Sequence, residues 1–330
     1  MKHATLRQLK VFEAVARLLS FSRAAEELHL TQPAVSTQVS KLEEHAGLAL
    51  FEQFGKKIYL TAAGVELLQI SRTIIQQFET AENAMAHFKG VAGGRLNVGV
   101  ISAGDYFFPH LLVAFAGRHQ GVTLNFTVHN RAELLTHIVD NLTDLAIMVR
   151  PPTDLETINQ PFAPHPYVIV AAPGHPLAGQ RNIPRAALKC EPFVVREQGS
   201  DTWHSMEDGF GGDLADVNVA MEICSTETIK QAVIAGMGIS FLSAHTISHE
   251  LRDGELCVLD VEGFPLMLNW YVVHRRTKRL APVAQAFKDF LLCEGAALIE
   301  RVVPFYANRP GGPAALASAP AGLGSQRVEN

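Results

Sequence analysis

The chain has 330 residues, enough for two or three domains, and its 48% hydrophobic and 18% charged residues mark a globular rather than a disordered protein. A formal net charge of -5 excludes polyanion binding by the chain as a whole. Any nucleic-acid surface must therefore be local, and residues 1–60 carry only a mild excess, eight Lys or Arg against six Asp or Glu.

In chain order, Thr5 and Gln8 in "TLRQLKVFEAVARLLS" make a capping-box pattern. Leu9, Phe12, Ala16 and Leu19 then predict an amphipathic first helix. A short second helix, "SRAAEELH", starts from Ser22 as its cap, with small Ala24 and Ala25 where another helix can approach. After the "HLT" turn, Thr31 caps a third helix with Pro33 in its first turn, and Val35, Val39, Leu42 and Ala46 recur on its inner side. "FEQFGKKIYLT" reads as a strand, a glycine turn and a second strand.

From Thr61 to Lys89 one long helix is expected, with Leu67, Ile74, Ala81 and Phe88 spaced by seven and Ser71, Phe78 and Met85 interleaved. Such a stripe on so long a helix calls for a partner helix, and the favoured partner is a second copy of the chain. "VAGGR" then breaks the helix at a domain boundary. Beyond it the runs "RLNVGVI", "VTLNFTV", "DLAIMV", "YVIVAA", "FVVRE", "NVAMEI" and "GISFL" alternate with helical segments, which predicts an α/β domain on a mainly parallel sheet. The Pro-, Gly- and Ala-rich tail, residues 307–330, reads as disordered.

Cys190, Cys224, Cys257 and Cys293 lie more than thirty residues apart with no CxxC pair, so buried reduced thiols are expected and neither a disulfide framework nor a zinc site. His245 and His249 have the spacing of metal ligands on one helix face, but no third ligand is near, and a surface pair is the expectation. The N-terminus has no apolar signal region and no run reaches transmembrane length. A cytoplasmic location, and no membrane partner, are expected. GxSxG, P-loop and HExxH motifs are missing and "AGMGIS" is not a GxGxxG loop, so an enzyme reading has no residues to rest on.

Two helices joined by a tight turn have the layout of a helix-turn-helix, whose second helix enters the major groove of double-stranded DNA. The exposed side of that helix carries short polar groups. Ser36, Thr37 and Ser40 would let the backbone sit deep in the groove, with Thr31, Pro33 and Ala34 at its entry, while Gln32 and Gln38 offer amide edges that pair with adenine. Arg23, Lys41, Lys56 and Lys57 would neutralise phosphates, the last two on a wing.

"LRQLKVFEAVARLLSFSRAAEELHLTQPAVSTQVSKLEEHAGLALFEQFGKKIYLTAAG" resembles the winged helix-turn-helix of the LysR-type transcriptional regulators over residues 4–64. "ISAGDYFFPHLL", "DLAIMVRPP" and "APGHPLAG" resemble most the members that control Calvin-cycle carbon-fixation operons. The resemblance implies an all-α winged helix-turn-helix (residues 1–61), a long linker helix that pairs subunits (62–90), and a two-lobed α/β effector domain like periplasmic binding proteins. Lobe 1 would span 94–164 plus 266–300, "LNWYVVHRR" and a last helix "LAPVAQAFKDFLLCEG" returning to it, and lobe 2 165–265. It also implies promoter DNA, a homodimer or homotetramer and RNA polymerase as partners, and activation in response to a small-molecule effector, either a phosphorylated metabolite or NADPH. No other cofactor is expected. The alternatives are a LysR-type regulator of another metabolic operon and a solute-binding protein, the latter contradicted by the N-terminal domain.

The effector cleft can also be argued from residues. Three strands end in loops rich in hydroxyls and free N–H groups that lead into helices: Ser102, Ala103 and Gly104; Gly199, Ser200 and Thr202; Ser225, Thr226 and Thr228. Each alone is an ordinary N-cap, but three at matching strand ends would suit an anion, with Arg150 and Arg196 as counter-charges. Where related regulators often read "GSGTR" this chain reads "GSDTW". Asp201 adds negative charge and Trp203 removes a cation, which argues against phosphate binding through that loop.

Overall fold

The structure is a computed structural model that describes residues 3–304 apart from 56, 89–93, 213, 215 and 216. The predicted tail therefore lies outside the described residues.

Helix α1 (Leu6–Leu18) starts at the expected capping box, Thr5 accepting from the Gln8 amide and Gln8 from the Thr5 amide at 2.9 Å. It ends one residue before Leu19, which adopts a left-handed conformation (φ 46) and is exposed, not part of the apolar face as its spacing suggested. Helix α2 (Phe21–Glu27) is capped by Ser20 rather than Ser22, the Ser20 hydroxyl accepting from the Arg23 amide. The earlier start has a packing reason: Phe21 sets its ring edge-on against Phe51, centroids 5.7 Å apart. Helix α3 (Gln32–Ala46) is capped by Thr31 and buries Val35, Val39 and Leu42.

Strands β1 (Phe51–Phe54) and β2 (Lys57–Leu60) form an antiparallel hairpin with Phe51 opposite Leu60. Glu43 at the end of α3 ties this wing down, its carboxylate accepting from the amides of Leu50 (2.8 Å) and Phe51 (3.3 Å). Helix α4 (Ala62–Phe88) grows directly out of the wing. Gly64 is required there, because a Cβ would stand 2.1 Å from the Leu50 carbonyl oxygen.

The C-terminal domain comprises β3 (Gly94–Ile101), α5 (Phe108–Ala116), β4 (Val122–His129), α6 (Arg131–Val139), β5 (Leu145–Met148) and β6 (Thr157–Ala171). It continues with β7 (Phe193–Arg196), α7 (Asp201–Gly209), β8 (Val219–Ile223), α8 (Thr226–Ile234), β9 (Ser240–Ser243), α9 (Ser248–Asp253) and β10 (Cys257–Val258). The last elements are β11 (Leu266–Arg275), α10 (Pro282–Phe290) and α11 (Ala296–Val302). Strands β4, β3 and β5 run parallel, as do β7 and β8. The sheet is nevertheless mixed: β11 lies antiparallel between β5 and β6, and β6 pairs antiparallel with β9 and β10. The chain that crosses to the second lobe along β6 returns along β11, which pairs over its whole length with the Thr157–Tyr167 part of β6. The last helix also runs on past Gly295, through a π-turn at Leu291–Gly295, to Val302.

At the β6–β11 crossing sits a stack of buried rings. His165 lies flat on Trp270 (4.4 Å, 10°) and is stacked with His245 at 5.3 Å, and the Trp270 indole N–H donates to His245 Nδ1 at 3.2 Å. His245 is thus buried in a 3₁₀ turn while His249 is exposed on α9, so the two make no surface pair. The cysteines differ too: Cys190, Cys224 and Cys293 are free and exposed and Cys257 is half-buried, because they fall at element ends and on outer helix faces rather than in the core.

A buried carboxylate joins α4 to the C-terminal domain. Asp144 accepts from the Asn97 amide (2.8 Å) and from Gln76 (3.1 Å), and pairs with Lys278 (3.0 Å). Beside it Arg72 pairs with Asp140 on one side and lies 3.5 Å from Glu13 of α1 on the other. On α4 itself Ile74, Phe78, Ala81 and Met85 are exposed along one line, Leu67 is half-buried, and Ser71 turns inward and is fully buried. The side chain of Phe88 lies outside the described residues.

Candidate functional site

The outer face of α3 presents Gln32, Pro33, Thr37, Ser40 and Lys41 to solvent, with Ala34, Ser36 and Gln38 half-buried. At about 100° per residue Gln32 and Gln38 both sit about 60° from the Val35–Val39–Leu42 core line, but Gln32, at the helix start, is exposed while Gln38 is half-buried. The Thr37 hydroxyl donates to the Pro33 carbonyl at 2.8 Å, so it is held by its own helix although the residue is exposed. Arg23 and Lys57 are exposed on α2 and β2; Lys56, also expected in the wing, lies outside the described residues.

In the C-terminal domain one cation organises the strand ends. Arg196, the last residue of β7, is 6% exposed. Its Nη1 donates to Thr226 Oγ1 at the start of α8 (3.2 Å) and to Ser102 Oγ beyond β3 (3.4 Å). Its other edge is held by the neighbouring Glu197 through two hydrogen bonds of 2.7 and 2.8 Å. This fork-to-fork pairing fixes the plane of the guanidinium and leaves Nη1 to the two hydroxyls. Ser102, Ala103 and Gly104 do not cap α5; they form a separate 3₁₀ turn, and a Cβ at Gly104 would meet Val100 at 2.5 Å. Ser225 caps α8 by accepting from the Thr228 amide, while the Thr228 side chain is exposed.

The middle loop does something else. Gly199 takes a left-handed turn (φ 83), Ser200 caps α7, and Thr202 is buried near the Tyr167 hydroxyl. Asp201 is buried and paired with Arg131 of α6 at 2.7 Å, so its charge is spent across the cleft. Arg150 likewise pairs with Asp208 of α7 rather than joining Arg196.

Sequence reasoning missed a further cross-cleft contact. The Tyr106 hydroxyl donates to Glu227, and Lys230, held by Glu227 (2.8 Å) and Glu250 (2.6 Å), lies 4.9 Å over the Tyr106 ring. Burial, then Glu227, pushes the Tyr106 pKa up, so the hydroxyl remains a donor. Nothing in the local pattern of Tyr106 or Glu227, 121 residues apart, announces this pair.

Among the described residues there is no group of three or more His, Cys, Asp or Glu that could hold a metal ion, and no helix is long and apolar enough to cross a membrane.

A winged helix-turn-helix carried by one long helix on a two-lobed α/β domain defines a DNA-binding transcriptional regulator. Residues 6–65 match the family described as bacterial regulatory helix-turn-helix protein, lysR family, and residues 89–296 match the LysR substrate binding domain. The chain belongs to the LysR family of transcriptional regulators and is not an enzyme. It is 47% identical over 294 residues, 89% of this chain and 97% of its relative, to a RuBisCO operon transcriptional regulator of Allochromatium vinosum. Among solved structures it resembles the Synechocystis PCC6803 CcmR regulatory domain in complex with 2-PG (TM-score 0.58, 40% identity, 61% of this chain and 96% of that one). It shares its fold with a point variant of full-length OxyR from Pseudomonas aeruginosa (TM-score 0.71, 22% identity, 88% of this chain and 98% of that one).

Proposed function

We propose that this LysR-type regulator controls a Calvin-cycle carbon-fixation operon, binding its promoter in the cytoplasm and activating in response to a phosphorylated metabolite. The observation that carries the reading is the 47% identity, along nearly the whole chain, to a regulator named for the RuBisCO operon.

The exposed face of α3 enters the major groove, Gln32 reading adenine edges, Thr37 turning its methyl toward a thymine methyl, and Ser36 and Ser40 letting the backbone approach. Lys41, Arg23, Lys56 and Lys57 hold phosphates. The exposed line Ile74–Phe78–Ala81–Met85 on α4 pairs with the same line of a second copy, and two such dimers make the tetramer. On this reading residues 1–61, 62–90, 94–164 plus 266–300, and 165–265 act as head, linker and two lobes.

The effector sits at Arg196, the buried cation to which Ser102 and Thr226 already bring hydroxyls from opposite sides of the cleft. The 2-PG (2-phosphoglycolate) bound by the 40%-identical CcmR domain supports a phosphorylated acid there; NADPH is the second candidate. An anion between the lobes favours the closed arrangement by its extra contacts there, and that differential affinity is the whole energy source of the switch.

The test is fluorescence anisotropy with full-length protein and the promoter of a carboxylase operon, with and without 2-phosphoglycolate or NADPH. Preference over random DNA at matched salt, altered by one ligand, is the expected result. Equal affinity for random DNA would sink the operon assignment.

A further inference from the structure

We propose that the cleft between the winged domain, α4 and the β3–β4 edge is a second anion site, which takes a phosphate-bearing metabolite and fixes how the DNA-binding head is carried on the effector domain. This goes beyond the effector reading and does not depend on it. The cleft has a volume of about 790 Å³, within the range of small-molecule sites. Its wall carries Lys10 and Arg17 from α1, Arg72 from α4 and Arg95 from β3, against the two carboxylates Glu13 and Glu27.

Those carboxylates are already taken. Arg17 pairs with Glu13 and Glu27, and Arg72 with Glu13 and Asp140. Lys10 and Arg95 are exposed to the cleft and form no ion pair among the described residues. Arg17 and Arg72 leave one carboxylate in excess, Glu13, Glu27 and Asp140 against two guanidinium groups, so with Lys10 and Arg95 the cluster keeps a net positive charge, and with the Asn125 carboxamide alongside it suits the oxygens of a phosphate group.

The site is separate from Arg196. Arg95 lies at the opening end of β3 and Ser102 just beyond its other end, seven residues or roughly 20 Å of strand apart. It also stays open in a dimer paired through α4. At about 100° per residue Arg72 and Gln76 point nearly opposite the Ile74–Phe78–Met85 line. Because Lys10 belongs to the head and Arg95 to the effector domain, an anion held by both cross-links them, and whatever orientation it favours must in turn bind it more tightly.

The experiment is isothermal titration of the full-length protein with inorganic pyrophosphate, in the wild type, Lys10→Ala/Arg95→Ala, and Arg196→Met. Both residues of the first variant are exposed, and an unchanged melting temperature without ligand checks that it is folded. Pyrophosphate binding should persist in Arg196→Met and weaken at least about tenfold in the double variant, the loss of about one charge-assisted hydrogen bond. Small-angle scattering of the wild type should show pyrophosphate narrowing the distribution of head-to-body distances. Undiminished affinity in Lys10→Ala/Arg95→Ala, binding lost in Arg196→Met alone, or no binding by the wild type at millimolar pyrophosphate would each overturn the proposal.

Discussion

Replacing Arg196 separates ligand recognition from folding. Its guanidinium makes four side-chain hydrogen bonds, to Thr226 (3.2 Å), Ser102 (3.4 Å) and Glu197 (2.7 and 2.8 Å). Arg196→Met removes the cation, but Glu197, 27% exposed, can rehydrate, and Ser102 and Thr226 are half-buried near solvent. The folding cost is therefore about 1–2 kcal/mol, well below the 3–5 expected when a charge is stranded in a core. An anionic effector, in contrast, loses its charge-assisted hydrogen bonds at about 1.5–3 kcal/mol each, so affinity should fall on the order of 100-fold. Arg196→Lys keeps the charge but not the fork and should lose about tenfold. Titration calorimetry with 2-phosphoglycolate and promoter binding by anisotropy read the two effects apart: effector affinity drops while operator affinity without effector is unchanged. Should Arg196→Met bind within threefold of the wild type, the cleft assignment is wrong.

Three further outcomes are expected. Gln32→Ala/Ser36→Ala/Thr37→Ala should abolish sequence preference yet leave salt-sensitive binding, as measured by competition with random DNA. Survival of specific binding would refute the recognition-helix assignment. Lys57→Ala should weaken specific and random DNA alike and reduce the slope of log affinity against log salt by about 1, whereas a changed base preference would mean that the wing reads bases. Burial holds His245 down at about 4 and His165 well below its usual value, so both are neutral when folded. Below about pH 6.5 the unfolded chain takes up protons that the native state refuses. Stability should then fall as pH drops from about 6.5 to about 4, by up to about 1.4 kcal/mol per pH unit per histidine, with no such loss above pH 7. Thermal melts of wild type and His245→Gln across that window check this, the variant showing the shallower fall. Parallel curves would clear the histidine of responsibility.

The N-terminal third was legible because its signals are local. The Thr5–Gln8 box, the Thr31 cap, the Val35–Val39–Leu42 side and the alternation in the wing each lie within a few residues, and each is found. The miss at Ser22 came from a ring contact: Phe21 answers to Phe51, thirty residues away, so the helix begins at Ser20. Ser71 shared the heptad spacing of α4 but turns inward, because a helix with two packed sides has two stripes and spacing alone assigns a residue to either.

In the cleft, Ser102, Thr226 and Arg196 were readable as hydroxyls and a cation at strand ends, and the structure brings those three together. Arg150 reads as a second counter-charge and Asp201 as a free negative charge against phosphate, yet Asp208 and Arg131 pair with them from about 60–70 positions away, whereas Arg196, paired with its neighbour Glu197, keeps Nη1 on the two hydroxyls.

By itself the sequence determined the elements, their order and the family, since caps, apolar periods and turn residues act over one or two helical turns. Only the tertiary structure decided which charges remain free for a ligand. That choice belongs to pairs such as Arg131–Asp201 and Arg72–Asp140, made when distant segments meet and each charge must find a partner or stay in water. The same long-range pairing turned β6 and β11 antiparallel, buried His165 and His245 against Trp270, and left Lys10 and Arg95 facing one cleft from two domains.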